Sequence, residues 1–137
     1  MNYKKTNEEF LERFISLESL CAEKFGVVTA GITEYISRLN SAKSADGRDE
    51  ALRQLNRYRS LRNRLVHENK ALKSMDEINK TDIKWLKNFE KLVKKKKDPL
   101  SRYYKKAKGS KRRKIFLTVI IILAILGLLV GAYFLFF

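Results

Sequence analysis

One histidine and one cysteine are all that 137 residues contain of the strongest nitrogen and sulfur metal ligands. Four-ligand zinc sites of the usual kind are excluded by that scarcity, and no carboxylate cluster resembles a two-metal nuclease. No metal and no cofactor is expected. Cys21 rules out an internal disulfide framework; set in an apolar helical pattern, it fits a core role in a reducing compartment. An apolar stretch is missing from the first residues, Met1-Asn-Tyr-Lys-Lys-Thr-Asn-Glu-Glu, so no signal peptide is expected there. Alternating apolar and polar residues are missing too, which speaks against strands.

Charge is abundant but uneven. The chain has 30 Lys/Arg against 15 Asp/Glu. Residues 1–90 hold 17 basic and 14 acidic residues, residues 91–114 hold 13 and 1, and residues 115–137 hold none. This predicts three regions: a helical domain over 1–97, a polybasic juxtamembrane linker over 98–114, and a transmembrane tail anchor over 115–137. A soluble part of that size buries only a modest core and gains from self-association.

The 23 uncharged residues from Ile115 to Phe137 are long enough, at about 1.5 Å each, to cross a hydrocarbon core of about 30 Å. Lys105, Lys106, Lys108, Lys111, Arg112, Arg113 and Lys114 crowd one flank. The positive-inside rule then predicts a single-pass membrane protein with its N-terminal domain in the cytoplasm. Tyr133, Phe134, Phe136 and Phe137 fall at the far interface. Membrane lipids are the expected partners of the basic flank. Its Tyr103 and Tyr104 also suit single-stranded RNA. Gly127-Leu-Leu-Val-Gly131 is a GxxxG, which lets two membrane helices approach.

Helical periodicity organises the rest. A first helix is expected from 7 or 8 to 25 on Phe10, Phe14, Leu17 and Cys21, with Leu11, Ile15 and Phe25 widening its face. Glu8, Glu9 and Glu12 suit its first turns, and Gly26 its stop. A second helix over 28–39 presents Ile32, Tyr35, Ile36 and Leu39, followed by a polar loop ending in Asp46-Gly47. A third over 48–69 carries Leu52, Leu55, Tyr58, Leu61, Leu65 and Val66. After a break over 70–78, a fourth over 80–97 shows Ile83, Leu86, Phe89, Leu92 and Val93 beside Trp85, with Asp98-Pro99 closing it. The fold class predicted is all-α, a four-helix bundle followed by a basic linker and one transmembrane helix.

Chemistry concentrates in Arg62-Asn63-Arg64-Leu65-Val66-His67. His67 is the one side chain whose ordinary pKa allows proton exchange near neutrality. At 100° per residue, Tyr58, Leu61 and Leu65 centre the apolar face, with Asn56, Asn63 and His67 opposite. His67 is therefore expected in solvent, above Asn63 at i,i+4. Arg62 projects within the apolar arc and lies about 140° from His67, so the two do not converge in one chain. A two-fold interface would gather two copies of Arg62, Asn63 and His67 around one cleft.

An Arg-Asn-x-x-x-His motif near the end of a long helix in a bundle of this length resembles the HEPN superfamily (Higher Eukaryotes and Prokaryotes Nucleotide-binding). The resemblance covers residues 7–97. It implies a four-helix HEPN-like fold and a homodimer. It further implies metal-independent endoribonuclease activity of the kind found in toxin–antitoxin and defence systems, with an antitoxin or regulatory protein as a possible partner. Arg62, Asn63 and His67 would be catalytic, with Arg59 and Arg64 on the RNA. One subgroup carries a tyrosine two positions after the histidine, where Asn69 stands here. Some members bind without cutting. The alternative reading is thus a non-catalytic, membrane-tethered helical adaptor or RNA-binding protein, in which Arg64 with Glu68 is a plain ion pair.

Overall fold

The computed structural model describes residues 3–67 and 78–136, and all of its secondary structure there is helical. The helices are α1 (Tyr3–Phe25), α2 (Gly31–Ser41), α3 (Arg48–His67), α4 (Lys80–Lys94) and α5 (Pro99–Phe136). They form two compact units, Met1–Tyr103 and Tyr104–Phe137.

In the first unit, α1 packs chiefly against α2 and α4, and α3 closes against α2. The stripe Phe10, Phe14, Leu17 and Cys21 is buried as its spacing predicts. Helix α1 starts four or more residues earlier than expected, at Tyr3, and its first turn contains no acid. Asn7 is the reason: fully buried, it extends the stripe by one step with a polar side chain that hydropathy does not register. Ile15 does not widen the face; it is exposed.

An aromatic chain ties all four helices of this unit together. Phe10 of α1 meets Tyr58 of α3 edge-on at 5.6 Å, and Tyr58 meets Trp85 of α4 at 5.5 Å. Trp85 stacks on Phe89 at 4.7 Å, and Phe89 meets Tyr35 of α2 at 5.4 Å. Such offset and edge contacts add to the area that the rings bury.

Gly26, at φ 66°, stops α1 as expected. Helix α2 begins at Gly31 rather than at Val28, whose side chain stands in solvent. Its start is set by close approach: a Cβ on Gly31 would lie 2.3 Å from the Ala22 nitrogen and the Glu18 carbonyl oxygen. Glu18 also accepts from the Ile32 amide at 2.9 Å, satisfying a donor that a helix start leaves free. Gly47, at φ 77°, makes the expected turn before α3.

Leu55, Tyr58, Leu61 and Leu65 bury their side chains along α3, whereas Val66 is half in solvent. The expected end of this helix at Asn69, the Arg64–Glu68 pair and all of the break over 70–78 except buried Ile78 lie outside the described residues. Helix α4 opens on a capping box: the Asn79 side chain accepts from Thr81 and Asp82, and Asp82 accepts from the Asn79 amide. It ends at Lys94, before Lys97, in a turn where Lys96 takes a left-handed φ of 54°.

Pro99 does not close α4; it opens α5, the one helix position where its missing N–H costs nothing. Asp98, Pro99 and Leu100 are buried in the first unit. In the second unit every described residue from 104 to 136 is exposed, and the basic stretch is helical. An 18-residue window of this apolar helix has a mean hydropathy of 3.0 with none of it buried, so it is long and apolar enough to cross a membrane.

Candidate functional site

Helix α3 carries Arg59, Arg62, Asn63, Arg64 and His67 over its last turns because Leu61 and Leu65, both buried, fix its rotation. With those leucines inward, Asn63, Arg64 and His67 are exposed. The imidazole is outside the core, as its helical phase predicts. Arg59 and Arg62 are half-buried.

Arg62 Nη1 donates to Asn63 Oδ1 at 3.3 Å. This local bond answers the cost of a guanidinium placed beside an apolar face. Arg59 donates to Thr33 Oγ1 at 3.5 Å and to Asn56 Oδ1 at 3.2 Å, which links α3 to α2. Within one chain the motif is thus an Arg62–Asn63 pair with His67 a turn beyond. Arg62 turns to its neighbour rather than to the imidazole, in keeping with their 140° separation.

Three buried carboxylates organise the polar interior; the sequence reading passed over Asp82 and Glu90 and took Asp98 only as the close of a helix. Asp82 accepts from Arg57 at 2.6 Å and from Tyr58 Oη at 3.1 Å. Burial and the adjacent Asp82 charge push the Tyr58 hydroxyl above its ordinary pKa. Glu90 accepts from Ser16 at 3.0 Å and Lys94 at 2.6 Å. Asp98, fully buried, accepts from Tyr35, Ser101 and Lys24. The signals were present: Asn79-x-x-Asp82 has capping-box spacing, and an aspartate directly before a proline is a helix-start pattern.

A mainly apolar cleft lined by Gly47, Glu50, Trp85, Asn88, Leu92 and Arg102 contains none of the motif residues. Among the described residues no group of three His, Cys, Asp or Glu side chains could hold a metal ion. Neither a search of curated proteins nor a search of solved structures found a match. The model of a family of unknown function, DUF6548, matches residues 8–116, through the bundle and the basic helical stretch, and the chain belongs to that family.

Proposed function

We propose that the chain is a membrane-tethered, HEPN-like endoribonuclease that acts as a homodimer, with α5 crossing the bilayer and the bundle in the cytoplasm. The observation that carries this reading is the solvent position of the sole imidazole, on the same helix end as the Arg62–Asn63 pair. A histidine with a core-packing role would lie among Leu61 and Leu65 instead.

In this scheme a ribose 2′-oxygen forms a bond to the adjacent phosphorus as the bond to the 5′-oxygen breaks. His67 of one protomer accepts the 2′-hydroxyl proton, and His67 of its partner donates a proton to the departing 5′-oxygen. Arg62 stabilises the added negative charge on the five-coordinate phosphorus, and Asn63 orients Arg62. Arg59 and Arg64 hold flanking phosphates. The products are a 2′,3′-cyclic phosphate and a 5′-hydroxyl. An antitoxin or regulatory protein would act by covering this helix end.

The test is to map RNA fragment termini after induction of the wild type and of His67→Ala. Cyclic-phosphate ends that vanish in His67→Ala support the nuclease. Identical fragments from both refute it.

The separation of Arg62 from His67 within one chain favours a second reading, a non-catalytic adaptor or RNA-binding protein held at the membrane. That protein would tolerate Arg62→Ala and His67→Ala and lose its function when residues 115–137 are removed.

A further inference from the structure

Helix α5 carries seven cations between Lys105 and Lys114, and no acidic residue follows Asp98 anywhere in the chain. All seven are exposed. They cannot be neutralised along their own helix, so their counterions must come from elsewhere.

The arrangement of the last four is specific. Lys111, Arg112, Arg113 and Lys114 are consecutive in unbroken helix, so their side chains leave the axis at about 100° intervals and encircle it. Together they rise about 6 Å, the depth of one headgroup layer when a bilayer of about 40–45 Å contains a core of about 30 Å. Ile115 follows immediately, and residues 115–136 supply about 33 Å of apolar helix. Tyr133 and Phe134, ring centroids 6.1 Å apart, fall about 27 Å beyond Ile115, where the opposite interface lies. Lys108, Lys106 and Lys105 stand about 4–9 Å beyond the ring, within about one Debye length of it.

We infer that Lys111, Arg112, Arg113 and Lys114 form a cationic ring that gathers anionic phospholipid headgroups around the helix where it enters the bilayer. The inference rests on the reading that α5 spans a membrane. Charge complementarity and direct continuity with the apolar helix argue for lipid as the occupant. An RNA strand would contact one side of the helix and leave the cations on the other side unmatched, whereas headgroups surround a spanning helix on all sides.

The full-length chain is reconstituted into vesicles of phosphatidylcholine with a minor share of phosphatidylglycerol, and resistance to carbonate extraction is scored first. Spin-labelled versions of the two lipids then report which one the helix immobilises. The expected result is a preference of about threefold or more for phosphatidylglycerol. The combined variant Lys111→Gln, Arg112→Gln, Arg113→Gln, Lys114→Gln should lose it. Lys105→Gln, Lys106→Gln, Lys108→Gln, with the ring intact, should keep most of it. A carbonate-resistant wild type without lipid preference overturns the ring, whatever the variants do. So does binding of a single-stranded RNA by the ring without lipid preference. Extraction of the wild type by carbonate instead removes the membrane-spanning reading, and the ring with it.

Discussion

Tyr35 Oη donates to Asp98 Oδ2 at 2.7 Å, joining the middle of α2 to the cap of α5 across 63 positions. The same carboxylate accepts from the Ser101 amide and from Lys24 Nζ, each at 3.1 Å. One fully buried aspartate therefore fastens α1 and α2 to the start of the helix that continues into the apolar segment. The Tyr35 hydroxyl is pushed above its ordinary pKa by burial and by Asp98.

Removing either partner should cost stability. Tyr35→Phe deletes a hydrogen bond to a charged group and is expected to cost about 1.5–3 kcal/mol. Asp98→Ala takes the acceptor from Tyr35 and the anionic partner from Lys24, and should cost about 3 kcal/mol or more. Denaturant unfolding of the full chain in detergent measures both. An unchanged midpoint for Asp98→Ala would show that the buried carboxylate does not hold the helices together.

Acid should loosen the same junction. Burial alone would raise the Asp98 carboxyl, but hydrogen bonds from Ser101 and Tyr35 and the Lys24 charge outweigh it and hold it below the ordinary value of 3.8. A depressed folded pKa gives stability that is fully present above the unfolded value and lost as pH falls through the folded one. Glu90 adds in the same sense: burial raises it, and bonds from Lys94 and Ser16 more than reverse this. Thermal midpoints should therefore drop as pH falls below about 4, and Asp98→Asn should flatten that slope. Parallel slopes would exclude Asp98 as a contributor.

Two glycines should answer differently to alanine. At Gly26 a Cβ meets nothing within 4 Å, so Gly26→Ala carries only the left-handed backbone penalty of about 1–2 kcal/mol. At Gly31 the new atom would strike α1 backbone at 2.3 Å, and α2 must lift away. Gly31→Ala is expected to cost about 3 kcal/mol, read as the larger loss of thermal midpoint by circular dichroism.

Cys21 should be inert in the folded protein. Burial, with Glu18 adding to it, pushes its thiol up to about 12. An alkylating reagent at neutral pH should modify it only after denaturation. Rapid labelling of the native chain would contradict the packing of α1.

His67→Ala should leave the unfolding midpoint within about 0.5 kcal/mol of the wild type, because the imidazole is exposed. Arg62→Ala should cost little more, because its bond to Asn63 is exposed. Both variants should run as folded protein by circular dichroism, so that any loss of RNA cleavage reads as chemistry rather than unfolding.

The buried faces of α1 to α4 were legible from spacing because a helix forces its apolar residues onto one side, and Leu61 and Leu65 placed His67 outside by the same logic. The early start of α1 was not, since buried Asn7 breaks the hydropathy pattern that marks a core position. The role of Pro99 was read backwards. A proline beside an aspartate fits either the end of one helix or the beginning of the next, and only the burial of Asp98 against Tyr35 and Lys24 selects the latter.

Local composition and period determined by themselves that this chain is helical, that its charge divides it in three, and that its last apolar stretch suits a bilayer. Those are properties of neighbours along the chain, and a helix expresses them turn by turn. Tertiary structure alone decided which polar groups go inside and which partner each one takes. It set Asp98 on Tyr35, and Asp82 on Arg57 and Tyr58. The reason is energetic: a charged group can be buried only where donors from distant segments meet it, and that meeting is a matter of packing, not of spacing.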